Sequence, residues 1–83
     1  MDFKEAVASE LRSLRARVKL TQKEVSERAG VDVGTIVRYE NNQISMNLEN
    51  LEKIIRAYGI DCYIFFDSIN AKLHNENNYE NNR

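Results

Sequence analysis

Apolar residues recur through the first eighteen positions at Phe3, Val7, Leu11, Leu14 and Val18, in steps of 4, 4, 3 and 4. That period predicts one stripe of an α-helix. Asp2 followed by Glu5 resembles a capping box at its start. Thr21-Gln22-Lys23-Glu24 is a second box, flanked by Leu20 and Val25 at the staple positions. Gly30 stops the helix it opens, which predicts a short element over about Gln22 to Ala29. Asp32 caps a third helix, with Val31 and Ile36 as its staple and Ile36 and Tyr39 on its inner face. Asn41-Asn42 ends it, because Asn tolerates left-handed backbone. Asn47 caps a fourth helix, with Met46 and Leu51 as staple. Leu48, Leu51, Ile54, Ile55 and Tyr58 form its apolar stripe, and Gly59 closes it.

The pattern then changes. Ile60-Asp61-Cys62-Tyr63-Ile64-Phe65-Phe66 is rich in β-branched and aromatic residues, which favours a short strand. A fifth helix is the alternative, since so short an apolar run does not distinguish the two periods. The last fourteen residues, 70–83, hold six Asn and few apolar groups. Such a composition predicts a disordered or frayed tail, so residues 1–69 are expected to be the domain and 70–83 an appendage.

The two short helices on either side of Gly30 make a helix-turn-helix. Ser26 and Ala29 are small enough for a close crossing, and Val25, Val31, Ile36 and Tyr39 fill the angle. Helices this short are not stable alone. They need the first and fourth helices as a platform, an arrangement that leaves one helix protruding, as proteins that enter the major groove do.

Composition narrows the chemistry. Eighty-three residues make one small domain, and 42% hydrophobic content supports a modest core. No apolar run is long enough to span a bilayer, and the N-terminus lacks signal-peptide organisation; a cytoplasmic protein is expected. One Cys and one His exclude an internal disulfide, a Cys-rich zinc site, any metal cluster and a His-based triad. With no phosphate-cradling glycine loop either, an enzyme is not expected and no cofactor is implied. His74 reads as an ordinary surface residue and Cys62 as a small apolar filler. Net charge is −1 but unevenly spread. Residues 1–10 carry one Lys and three acids. Residues 11–59 carry nine Lys/Arg and six acids, and residues 60–83 two basic residues and four acids. A basic middle between acidic ends suits a nucleic-acid surface.

The run from Leu11 to Ile60 resembles the Cro and phage-repressor (Xre-type) helix-turn-helix family. The matching stretches are Leu11-Arg12-Ser13-Leu14-Arg15, Leu20-Thr21-Gln22, Ala29-Gly30-Val31, Ile36, Tyr39-Glu40-Asn41 and Leu51-Ile54-Tyr58-Gly59-Ile60. Ser26 departs from the family's usual Ala, Asn42 from a common Gly, and Gly34 from a position that often carries a base-reading side chain. The resemblance implies a mainly all-α, lambda-repressor-like bundle of four to five helices. A short C-terminal strand, used in dimerisation, is expected beside it.

It also implies roles. Gln22 would touch a phosphate at the start of the first motif helix. Val33, Gly34, Thr35, Val37 and Arg38 would form the exposed face of the recognition helix. Arg38 alone among them could make a bidentate contact to guanine. Val33 could pack on a thymine methyl, and Thr35 could bond a base edge or phosphate. Asn41 and Asn42 would approach the backbone. Arg17, Lys19 and Lys23 are phosphate neighbours or simply solvated. Arg15 and Glu40 would be an internal ion pair. Three of the five recognition positions are Val or Gly, so a modest direct code with a share of shape readout is expected.

Family members are usually homodimers on inverted repeats, with half-sites about one helical turn apart. As a strand, Ile60, Cys62, Ile64 and Phe66 would face one side and Tyr63 and Phe65 the other. A strand apolar on both faces needs a partner, most simply its copy in a second chain. The C-terminal half also resembles HipB-like antitoxins in Glu40-Asn41-Asn42, the helix of Leu48 and Leu51, the strand ending at Asp67 and the polar tail. That likeness implies an autorepressor with a cognate toxin as further partner. Restriction–modification controllers are an alternative branch. A protein-interaction module that has lost DNA binding is the rival class.

Overall fold

The structure, a computed structural model, describes residues 1–81, with side-chain surroundings through His74. Five helices follow one another: α1 (Phe3–Val18), α2 (Gln22–Ala29), α3 (Val33–Glu40), α4 (Leu48–Ala57) and α5 (Cys62–Asn81). No strand occurs among the described residues.

Local chemistry sets each boundary. The Asp2 carboxylate accepts from the Glu5 amide and the Glu5 carboxylate accepts from the Asp2 amide, at 2.8 and 3.2 Å. Thr21 and Glu24 repeat the exchange at 3.0 and 2.8 Å. The amide and hydroxyl hydrogen bonds from Thr21 hold the Glu24 carboxyl below its usual range. Asp32 and Asn47 cap α3 and α4 through the amides of Thr35 and Asn50. Gly30 takes the left-handed conformation, φ +69°, and its N–H returns to Ser26 O at 2.9 Å. Asn42 takes φ +56°, the conformation for which glycine is the common choice. The following Gln43 amide closes on Arg38 O at 2.9 Å.

The core gathers Val7, Leu11 and Leu14 of α1, Val25 of α2, Ile36 and Tyr39 of α3, and Leu51, Ile54 and Ile55 of α4. Tyr58, Phe65 and Ile69 complete it. α1 packs on α3 and α5, α2 on α3 and α4, and α4 on α5. Three expected core positions differ. Leu48 is 79% exposed, and Phe3 and Val18 are also exposed. They sit at helix ends, where the period is right but the core does not enclose the side chain.

The expected strand over residues 60–67 does not form: Ile60 and Asp61 precede α5, and residues 62–67 begin it. Cys62, Phe65, Phe66, Ile69 and Leu73 recur at helical spacing, all buried or packed on the core. Asp61 opens the helix: its side chain accepts from the Tyr63 amide at 3.0 Å and its carbonyl from the Phe65 amide at 3.1 Å. Core packing outweighs the β preference of the run, since a lone strand would leave its backbone groups unpaired. Phe65, expected at a dimer face, is fully buried, edge-on to Phe66 at 5.2 Å. Phe66 stacks on Phe3 at 6.3 Å.

Residues 70–81, expected as a disordered tail, continue α5, so the expected boundary at 69/70 falls inside a helix. Residues 82–83 of that tail lie outside the described residues. Lys72 ties α5 to α1, with Nζ 3.1 Å from Glu10 Oε1 and 3.3 Å from Ser9 Oγ. Among the described residues no helix is long and apolar enough to cross a membrane.

Candidate nucleic-acid interface

α2 and α3 cross at the Gly30 turn. Ser26, where the resembled family has Ala, donates its hydroxyl to Val31 O at 2.6 Å and so satisfies a carbonyl within the turn. Ile36, Tyr39 and Glu40 face inward from α3. The rest of its surface faces out: Val33 is 40% exposed, Arg38 and Asn41 are exposed, and Gly34, Thr35 and Val37 are half-buried. All five expected recognition residues thus share one open side of one helix.

Glu40 holds that helix in place. Its carboxylate is buried and accepts from Arg15 twice, Nε to Oε2 at 2.8 Å and Nη2 to Oε1 at 3.1 Å. A two-pronged pair of this kind fixes direction as well as distance. Gln22 Nε2 donates to the same Oε1 at 3.1 Å. The Glu40 carbonyl accepts from Arg12 Nη1, and Arg15 Nη1 reaches Leu20 O at 3.2 Å. The hydrogen bond to Glu40 raises the Arg15 pKa further above its ordinary value, against the opposing effect of burial. One buried acid therefore joins α1, the α1–α2 loop, the start of α2 and the end of α3.

Gln22 is accordingly turned toward Glu40 and stands half-buried. The α2 capping box engages the amides of Thr21 and Glu24, leaving those of Gln22 and Lys23 at the helix tip. Lys23 and Lys19 are exposed. Arg17 is grouped elsewhere: its guanidinium lies 3.2 Å from Glu10 Oε2, on the side of α1 that meets α5. Asn42 is half-buried, and its Oδ1 is enclosed without a hydrogen-bond partner.

Several contributors were not read from the sequence. Arg12 closes the end of α3. The Tyr39 hydroxyl accepts from the Asn47 amide at 2.9 Å and pins the loop after α3. Glu10 is only 4% exposed and neutralised by Arg17 and Lys72. A usable signal existed for Glu10, since it lies between Ala6 and Leu14 around the apolar side of α1. Arg12 and the Tyr39 hydroxyl carry no such mark.

Leu48, Glu49, Leu51, Glu52, Ile55, Cys62 and Phe66 line a groove of about 450 Å³ between α4 and α5. Tyr63, 75% exposed, is adjacent to Cys62 in sequence. Ile64 is also exposed, but two residues after Cys62, about 200° around the helix. The expected dimer set of Ile60, Cys62, Tyr63, Ile64, Phe65 and Phe66 is therefore split by the helix: Phe65 goes to the core and Ile64 to another side.

A family model described as "Helix-turn-helix" matches residues 11–65, and the chain belongs to that family, of Xre/Cro type. It is a family of DNA-binding transcriptional regulators rather than of enzymes. The cryptic phage CTXphi transcriptional repressor RstR of Vibrio cholerae is 38% identical over 53 residues, 64% of this chain. The chain spans about half the length of that relative, the match covering 48% of it. Among solved structures, a mutant of the restriction-modification controller protein C.Esp1396I superposes with a TM-score of 0.85 at 17% identity, covering 90% of this chain and 97% of that one. The same controller has been solved bound to a 25 base pair operator site (TM-score 0.81, 18% identity, coverage 88% and 96%). The clp gene regulator ClgR of Corynebacterium glutamicum superposes with a TM-score of 0.82 at 22% identity, covering 98% and 86%. At these identities the structural matches speak for the fold alone.

Proposed function

We propose that this chain is a sequence-specific double-stranded DNA-binding transcriptional regulator, a homodimeric cytoplasmic repressor on an inverted-repeat operator. The open face of α3, ending in the exposed Arg38, carries the reading. α3 enters the major groove. Arg38 reads a guanine through its two-pronged guanidinium, Val33 packs on a thymine methyl, and Thr35 bonds a base edge or phosphate. Lys23 and the amides at the tip of α2 hold a phosphate. Gln22 contributes from its anchor on Glu40, and Asn41 and Asn42 approach the backbone. With Val37 and Gly34 completing the face, DNA shape supplies part of the discrimination.

A net charge of −1 gives no bulk attraction for DNA, so affinity comes from two copies bound together. Leu48, Cys62 and Phe66 line the α4–α5 groove, an apolar patch suited to self-association. The half-sites then lie about one helical turn apart. The phage-type repressor branch is favoured by the likeness to RstR. The strand that supported an antitoxin reading has become helix.

Titration with duplex DNA at low and high salt tests the proposal: affinity should fall steeply as salt rises. Arg38→Ala should weaken operator binding by about 1–3 kcal/mol and leave the thermal midpoint nearly unchanged. Salt-independent or absent binding would leave the protein-interaction reading in its place.

A further inference from the structure

We infer that Gly34 is a specificity-determining position that acts through Arg38, its missing side chain leaving the seat in which the Arg38 guanidinium lies along α3. The inference rests on the reading of α3 as the recognition helix.

Gly34 and Arg38 are one turn apart, neighbours on the same helix face. Helical side chains lean toward the N-terminus, which carries Arg38 back over residue 34. A Cβ placed on Gly34 would stand 3.5 Å from Arg38 Nη2 and 3.6 Å from Nη1. Both prongs are nearly equidistant from that point, so the fork lies beside the glycine along the exposed face of α3. On the other side the same Cβ would stand 2.9 Å from Asp32 Oδ2, the oxygen that accepts from the Thr35 amide at 3.3 Å. Gly34 thus separates a carboxylate engaged in capping α3 from the guanidinium that would meet the base.

Any side chain here acts on both neighbours. At 2.9 Å the Asp32 carboxylate must shift, and at 3.5 Å the guanidinium is in van der Waals contact with the new carbon. Anything longer than a methyl displaces it. A cation already lying along the helix surrenders less freedom on meeting guanine than one sweeping through solvent. The glycine also lets the helix approach the groove closely. Its poor helix propensity is therefore tolerated for the sake of the reader one turn later.

The test uses a duplex selected by the wild-type chain from a randomised library, with random duplex as reference. Gly34→Leu, whose side chain reaches past a methyl into the seat of the guanidinium, should lower the ratio of selected to random affinity about tenfold. In an Arg38→Ala background the same substitution should change that ratio by less than about twofold. Thermal midpoints and far-UV circular dichroism confirm that each variant is folded. Gly34→Met also reaches past a methyl and replaces the Leu variant if that does not fold. An unchanged ratio in Gly34→Leu, an equal loss in both backgrounds, or unfolding of both Gly34 variants would overturn the inference. Failure of the DNA-binding reading looks different: the wild-type chain itself would select no duplex and show no salt-dependent binding.

Discussion

At the scale of single residues, the most telling side chains have a polar atom where the surroundings are apolar. Tyr58 is buried and its hydroxyl has no hydrogen-bond partner. Burial, and then the neighbouring Glu40 charge, push its phenol up to about 12, against about 10 in an unfolded chain. The folded state therefore keeps this proton after the unfolded state has lost it. Stability from Tyr58 is fully present below pH 10 and is lost as pH rises from 10 to 12. Tyr58→Phe should make that alkaline decline shallower in urea titrations. At neutral pH it should be neutral or stabilising, since no hydrogen bond is removed. A loss above about 1 kcal/mol would mean that the hydroxyl has a partner in solution. The position was legible as core from the α4 period. That its hydroxyl would be stranded there was not, because hydroxyl pairing depends on the packed surroundings.

At the scale of elements, α3 is placed by its last residue. Glu40 receives Arg15 and Gln22, and the helix it ends cannot tilt without breaking contacts to α1 and α2. Glu40→Ala removes the common acceptor and should cost about 3 kcal/mol in chemical denaturation. The protein that remains folded should keep its ratio of selected to random DNA affinity. A changed ratio at unchanged stability would make Glu40 a reader and not a support. The first four helices were legible because each carries a start signal, Asp2, Thr21, Asp32 and Asn47, and three also carry a stop signal, Gly30, Asn42 and Gly59. The fifth was not. Its first seven residues fit two periods, and the deciding residues, Ile69 and Leu73, lie beyond the apolar run within a polar stretch. Glu10 and Lys72 are 62 positions apart, and no local pattern connects them.

At the scale of the whole molecule, the α3 face and the α4–α5 groove are separate surfaces, one proposed for DNA and one for a second copy. Helical geometry makes the latter testable. Leu48, at the rim of the groove and largely exposed, is available to a partner and contributes little to the monomer core. Leu48→Asp should shift sedimentation from dimer to monomer with little change in the monomer's fold. Ile64→Asp, on another side of α5, should leave the dimer intact. The reverse pair of results would place the interface on the side of Ile64 and refute the groove as the contact.

What the amino-acid order determined alone was local: caps, turns, helical stripes, and the set of residues from Val33 to Arg38 that share one side of α3. These depend on groups within a turn or two of each other, whose spacing is written in the chain. The tertiary structure alone decided the identity of residues 62–73 as helix, the burial of Phe65, the addition of Arg12 and Gln22 to the Arg15–Glu40 pair and the way Arg38 lies past Gly34. Apart from that last pairing, each joins groups from different helices, and burial energy at such contacts can override the preference of a short segment. Even within α3, the conformer of a long side chain follows from the space its neighbours leave, which spacing in sequence does not state.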